Sequence, residues 1–224
     1  MSFELKSARA TYQRAIQMCL DHQIGRNVEA YIDDVVVKTK TTDNLIIDLE
    51  ETFANLKRYQ WKLNPSKCIF GVPSGILLGY IVSARGIEPN HDKVSAITNM
   101  KWPTCVKDIQ KLTGYMAALS HFISRLSEKG LPFFKLLKAS ECFSWSEEAN
   151  TAFEQLKLFL TKPPIMTAPR LDETLLIYIA ATSHIVSTAI VIERDESGHA
   201  YKVQRPVYFI SEVLNEPKTR YPQV

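Results

Sequence analysis

Residues 29–40 read EAYIDDVVVKTK, two β-favouring apolar runs that meet at the adjacent carboxylates Asp33 and Asp34. Val28 to Ile32 and Val35 to Val37 are rich in β-branched and aromatic side chains, which suit a pleated strand, and the acidic pair between them is turn chemistry. The stretch predicts a β-hairpin with acid at its tip. Side chains alternate faces along a strand, so regular geometry puts Tyr31 and Asp33 on one face and Asp34 on the other; a tight, twisted hairpin is needed to bring both carboxylates forward. Two like charges side by side call for a cation. Mg²⁺ is commonly held by one or two carboxylates plus substrate phosphates, and phosphoryl-transfer enzymes hold two ions roughly 3.5–4 Å apart, more than one hairpin can ligate alone. The alternative is an Asp-rich turn chosen only for its backbone conformation.

The chain around the hairpin has 224 residues with 46% apolar content, enough for one large or two to three small cores. Its longest apolar stretches, such as Leu175 to Ala181, fall well short of the roughly 20 residues of a bilayer span, and the start at Met1-Ser2-Phe3-Glu4 is no signal peptide. An intracellular protein, in cytoplasm or nucleus and without a membrane partner, is expected. Cys19, Cys68, Cys105 and Cys142 form no C-x-x-C pair, so neither a zinc site nor a disulfide framework is indicated. The net charge is +3, yet Arg85 to Lys138 alone carries nine Lys/Arg against four Asp/Glu. The positive field sits in the middle of the chain.

Upstream of the hairpin, residues 7–22 repeat apolar side chains at Tyr12, Ile16, Cys19 and Leu20, a helical period. Downstream, a second helix from Thr42 or Asp43 to Tyr59 offers Leu45, Leu49, Phe53 and Leu56 as its buried face. Short strands are expected around Ile69-Phe70 and over Leu77 to Val82, with turns at Pro73-Ser74-Gly75 and Ala84-Arg85-Gly86. Past Pro89 the period becomes helical, over His91 to Met100 and Val106 to Leu126, with Leu112, Met116, Leu119, Ile123 and Leu126 as a core stripe. Ser144 and Glu147 read as a capping box for a helix that buries Ala149, Ala152, Phe153, Leu156, Phe159 and Leu160. After Pro169 three strands follow, Leu175 to Thr182, Val186 to Arg194 and Tyr201 to Ser211, the last two joined by a charged turn at Asp195-Glu196-Ser197-Gly198. The fold class is α+β.

Tyr31-Ile32-Asp33-Asp34 matches the Y-x-D-D motif of reverse transcriptases, and the sequence around it resembles the polymerase of Ty3/gypsy-type LTR retrotransposons, plant elements above all. "MSFELKSARATYQR" (1–14) is similar to the family segment that walls the nucleotide side of the palm, which implies substrate-binding roles for Lys6 and Gln13, as the Y-x-D-D match implies one for Tyr31. "LNPSKCIFG" (63–71) resembles the next palm motif, and there Lys67 matches a lysine that aids the leaving pyrophosphate. "LLGYIVSARGIE" (77–88) resembles the primer-grip hairpin and implies that Leu78, Gly79 and Tyr80 lie beside the primer terminus. The resemblance assigns residues 1–88 to part of the palm, 89–130 to the thumb, 131–170 to a connection segment and 171–224 to the first strands of a ribonuclease-H-like sheet. Gln110 and Gly114 match a thumb helix that tracks the duplex minor groove. It further implies Asp33 and Asp34 as catalytic metal ligands for Mg²⁺ or Mn²⁺, and an RNA/DNA template–primer duplex and dNTP as partners of the intact enzyme within a Pol polyprotein.

The chain departs from the family at positions that carry chemistry. The polymerase cluster needs a further aspartate from an upstream palm strand, and the chain begins after that segment. Glu4 replaces a glycine of the nucleotide wall and Arg9 a small residue or proline. Opposite a triphosphate, a carboxylate at about 4 Å is repelled by roughly 1 kcal/mol even in water. Ala180 stands where the ribonuclease H part would place its first metal-binding aspartate, and the next carboxylate would fall beyond Val224. The expectation is therefore a reverse-transcriptase fragment, inactive by itself. The alternatives are a segment of a longer active polyprotein and a non-catalytic nucleic-acid-binding remnant.

Overall fold

In the first part of the chain a few apolar side chains close over a helix, a hairpin and a second helix. The computed structural model describes residues 6–39, 41–138 and 143–220, and the chain divides into two units between Leu78 and Gly79. Helix α1 (Ala8–Cys19) buries Ile16 and Cys19 and leads into buried Leu20. It stops short of the expected His22 because Gln23 takes hydrogen bonds from Asn27 and Val28 and turns the chain into the first strand. Strands β1 (Val28–Tyr31) and β2 (Asp34–Val37) pair antiparallel from Val28 opposite Val37 to Tyr31 opposite Asp34. The connecting loop is thus Ile32-Asp33. Ile32, expected at the end of a strand, is a turn residue, and Asp34, expected in the turn, begins β2.

A 3₁₀ turn at Thr42–Asn44 leads into α2 (Leu45–Arg58). Leu56 is buried and Leu45 and Leu49 are half-buried, but Phe53, expected on the buried face, stays 41% exposed with its ring edge-on to Phe70. Its neighbour Thr52 takes the interior place, and the Thr52 hydroxyl is satisfied there by Gln23 Nε2 at 3.0 Å. A second 3₁₀ turn at Pro65–Lys67 is capped by the Asn64 side chain, which accepts from the Ser66 amide. The strand expected at Ile69-Phe70 does not form; Gly71 at φ 63° turns the chain directly after this exposed pair. Strand β3 is Ser74–Leu77, so Ser74 and Gly75 are extended where a turn was expected.

The second unit opens with a hairpin of β4 (Tyr80–Ser83) and β5 (Gly86–Pro89), closed by the two-residue loop Ala84-Arg85. Helices α3 (His91–Thr98), α4 (Val106–Ala118), α5 (Leu126–Lys138) and α6 (Glu147–Leu160) follow. They enclose one core of Ile97, Ile109, Leu112, Met116, Leu119, Ile123, Phe133, Phe153, Leu156 and Leu160. The helix expected to reach Leu126 ends at Ala118, and a 3₁₀ turn at Ser120–Phe122 replaces it. The break lets Phe122 and Ile123, which are adjacent in sequence, both reach the interior, and the apolar stripe stays buried through Ile123. Helix α6 is capped by Ser146, whose hydroxyl accepts from the Ala149 amide at 3.2 Å; Ser144 was the expected cap. Trp145, stacked on Phe133, places the helix start.

Strands β6 (Leu176–Ala181), β7 (Ile185–Arg194) and β8 (Val203–Val213) form an antiparallel meander with a bulge at Ile190/Val191, and the short α7 (Glu216–Thr219) follows. The Ser127 amide at the start of α5 donates to the Ser211 hydroxyl on β8 at 3.1 Å, tying the helices to the sheet. Among the described residues no helix is long and apolar enough to cross a membrane. Glu4 and Cys142 lie outside the described residues.

Candidate active site

The two-residue loop between β1 and β2 puts Ile32 at φ 48°, a left-handed backbone that a β-branched residue avoids at a cost on the order of 1–3 kcal/mol. Such a conformation persists only where the surroundings impose it. Gln13, on α1, supplies that restraint: its Nε2 donates to the Ala30 carbonyl at 3.1 Å and its Oε1 accepts from the Ile32 amide at 2.7 Å. The Asp34 Oδ2 accepts from the Leu78 amide at 3.2 Å, so the residue after β3 is fastened to the same tip. Asp33 and Asp34 are exposed and Tyr31 is 53% exposed. Tyr12 packs edge-on to Trp61 at 5.0 Å, and burial first, then the Asp33 charge, holds its hydroxyl above the ordinary tyrosine range.

Gln13, Tyr31, Asp33, Asp34 and Leu78 are thus gathered in the first unit. Lys6, in the turn before α1, and Lys67, which ends the Pro65–Lys67 turn, are exposed; among the described residues neither joins the hydrogen bonds of the tip. In the second unit, Gly79 takes φ 78°, and Tyr80 is half-buried between Phe122 and His121. Gln110 and Gly114 line one open groove of about 430 Å³ with Thr113, Met116, Ala117, Leu126 and Phe134. A Cβ on Gly114 would meet nothing within 4 Å, so this helix face is free of its own fold.

Residues 1–82 match the family model described as reverse transcriptase (RNA-dependent DNA polymerase), and residues 145–224 match the RNase H-like domain found in reverse transcriptase. The chain thus carries a reverse-transcriptase domain and, after it, an RNase H-like domain. Similar curated proteins include the retrovirus-related Pol polyproteins from transposons 297 and opus of Drosophila melanogaster, 27% and 28% identical over 99% of this chain. The Schizosaccharomyces pombe transposon Tf2-3 polyprotein is 23% identical over the same share. The Tf2 elements are of the Ty3/gypsy type. The chain spans only 20%, 22% and 16% of those three relatives. Two solved structures of the foamy viral protease-reverse transcriptase, one with an RNA/DNA hybrid and one with dsDNA, share its fold at TM-scores of 0.82 and 0.79 and 17% identity. Each covers 99% of this chain, which in turn covers 29% and 45% of theirs.

Reverse transcriptases generally use divalent metal ions. The acidic tip fits such an ion in donor chemistry: two adjacent exposed carboxylates offer hard oxygens of the kind that suit Mg²⁺ or Mn²⁺, and among the described residues one of those oxygens is engaged by a backbone amide. Among the described residues no three His, Cys, Asp or Glu side chains come together as a ligand set. In the RNase H-like part of the chain, Ala180 lies exposed on β6 opposite Ser187, and a methyl group ligates nothing. Glu196, read as part of a charged turn, forms a two-pronged pair with Arg205 at 2.6 and 2.5 Å, which lowers its carboxyl.

Two features escaped the sequence reading. Tyr12 counted only as one apolar helix position, and its nearness to Asp33 needs the fold. The other is a buried polar network. Gln23 is fully buried, donates to Thr52 Oγ1 and accepts from Asn55 Nδ2 at 2.9 Å, while Asn27 Nδ2 donates to Asp48 at 2.7 Å. The only signal available was the run of polar residues at helical spacing on α2, Asp48, Thr52 and Asn55.

Proposed function

We propose that this chain supplies the paired catalytic aspartates of a retrotransposon RNA-directed DNA polymerase, and that these 224 residues by themselves do not polymerise. The observation that carries the reading is the Y-x-D-D hairpin tip with its strained Ile32 stapled by Gln13, since backbone strain held in place this way is characteristic of active sites. Asp33 and Asp34 would hold Mg²⁺ or Mn²⁺ together with a carboxylate from sequence outside these residues. Bound there, the ions would neutralise triphosphate charge and lower the pKa of the attacking hydroxyl. Tyr31 and Gln13 shape the nucleotide side, Lys6 attracts phosphate, and Lys67 donates a proton to the leaving pyrophosphate. Leu78, Gly79 and Tyr80 hold the primer end. Residues 1–88 act as palm, 89–130 as thumb, 131–170 as connection, and 171–224 as a ribonuclease-H-like sheet that cuts nothing, because Ala180 offers no ligand.

Mn²⁺ binding followed by electron spin resonance tests the metal role: wild type takes up the ion weakly and Asp33→Asn loses it, whereas uptake unaffected by Asp33→Asn refutes it. Template-directed nucleotide incorporation by the 224 residues alone, abolished by Asp33→Asn, would overturn inactivity and favour a self-sufficient polymerase.

A template–primer duplex is the proposed partner of the α4 face, supported by the five-charge excess over Arg85 to Lys138 and the open groove at Gln110 and Gly114. Phosphate contacts then dominate affinity, and it falls steeply with added salt. Duplex binding insensitive to salt contradicts this.

A further inference from the structure

We infer that the sheet β6–β8 is a buttress for the β4–β5 hairpin, and that His121 and Tyr208 are positioning residues for Tyr80. The inference rests on the proposed primer-grip role of that hairpin and deepens it. Two separate paths connect hairpin and sheet. The first is a line of rings: Tyr80 lies 5.6 Å from Phe122 and 6.4 Å from His121, and His121 lies over Tyr208 of β8 at 4.7 Å with the planes tilted by 31°. Lys93 Nζ stands 5.9 Å from the Tyr80 ring centroid on the same hairpin base. The second path is backbone. The Ile87 amide donates to the Met166 carbonyl at 2.8 Å and the Met166 amide to the Ile87 carbonyl at 2.9 Å, while the next amide, Thr167, donates to Pro206 of β8 at 2.8 Å.

The backbone at Met166 and Thr167 therefore links the hairpin to the sheet, through an isolated antiparallel bridge to Ile87 on one side and the bond to Pro206 on the other. Its approach is so close that a Cβ on Gly86 would sit 2.3 Å from the Met166 carbonyl oxygen, and Gly86 at φ 134° occupies a conformation open to glycine. The hairpin is held at its turn by Met166 and at its base by the rings. A sheet with no carboxylate at position 180 thus acts mechanically, fixing where Tyr80, and with it the primer terminus, sits.

The test is equilibrium binding of the 224-residue chain to two DNA duplexes labelled at the distal end, one with a recessed 3′ primer terminus on a template overhang and one blunt. Wild type is expected to prefer the recessed end; the absence of any preference refutes the primer-grip reading whatever Tyr208 does. Given that preference, Tyr208→Ala is expected to weaken binding of the recessed duplex by about 3- to 10-fold, the scale of one aromatic pair. The blunt duplex is expected to bind as before, and Tyr208→Phe, which keeps the ring, to restore the preference. Binding of each duplex by Tyr208→Ala as tightly as by wild type, or an equal loss on both, overturns the positioning role. Should Tyr208→Ala lose its far-ultraviolet circular dichroism, His121→Leu, which keeps apolar bulk and removes the ring, is read by the same two criteria.

Discussion

The unit before Gly79 and the unit after it are stabilised differently. The second buries a continuous apolar core from four helices, with Ile97, Ile109, Leu112, Leu119, Ile123 and Phe133 fully enclosed. Among the described residues the first encloses Ile16, Cys19, Leu20, Val28 and Leu56 as apolar core and joins the α1–β1 turn to α2 through Gln23, Asn27, Asp48, Thr52 and Asn55. Apolar packing tolerates imprecision, whereas a buried amide network is stabilising only while every member has its partner. The unit that carries the aspartates is the one whose geometry is specified by hydrogen bonds. Its side chains Ile46, Ile47, Ile69 and Ile76 are all more than 60% exposed.

The contrast can be broken first in the helical core. Phe153→Ala removes a ring that is 1% exposed and is expected to cost about 3–5 kcal/mol in urea unfolding. An effect below about 1 kcal/mol would mean that this core is not continuous. Next comes the amide network: Gln23→Leu leaves the Asn55 amide and Thr52 hydroxyl without their buried partner and is expected to destabilise by about 2–3 kcal/mol. A near-neutral result would place the first unit's stability in its few apolar contacts instead.

A smaller effect sharpens the comparison at the hairpin tip. Ile32→Asn places at φ 48° a residue that tolerates this backbone, and a gain of about 0.5–1 kcal/mol is expected. A loss would show that the Ile32 side chain, half-buried, contributes more than its backbone strain costs.

The smallest effect is electrostatic and belongs to the second unit. Glu173 accepts from Arg194 Nε and Nη2 at 2.7 Å each and from the Arg170 amide, and these bonds hold its carboxyl well below the usual 4.5, at about 2. A depressed carboxyl stabilises the folded state above its unfolded value and loses that contribution as pH falls through the folded one. Wild type and Glu173→Gln are therefore expected to differ in thermal midpoint at pH 7 and to converge as pH falls from about 4.5 toward 2. A constant difference down to pH 2 refutes the pairing.

Where local chemistry and tertiary demand agreed, the sequence was legible. The hairpin around Asp33, the Ala84-Arg85 turn, the buried face of α6 and the three terminal strands all came from periodicity and turn residues. Three of the discrepancies share a cause. Phe53 gave up an interior place to Thr52 because Gln23 needed a partner there. The helix expected through Leu126 broke after Ala118 so that Phe122 and Ile123 could both be buried, and Ser146 displaced Ser144 as cap because Trp145 stacks on Phe133. Each time a contact distant in sequence outweighed a local preference of a few tenths to about 1 kcal/mol. Among the candidate site residues, Asp33, Asp34 and Tyr31 were visible as a motif, while the restraint by Gln13 and Leu78 was not.

By itself, the sequence determined the reverse-transcriptase resemblance, the order of helices and strands, and the absence of a carboxylate at position 180, because motifs, periodicity and residue identity are properties of the chain read locally. Only the tertiary structure decided that Ile32 carries the turn, that Asp34 begins a strand and accepts from Leu78, and that Tyr208 reaches Tyr80 through His121. Those facts depend on groups 44, 41 and 87 residues apart being brought to contact distance, and that juxtaposition is set by the packing of whole elements, with no local pattern to announce it.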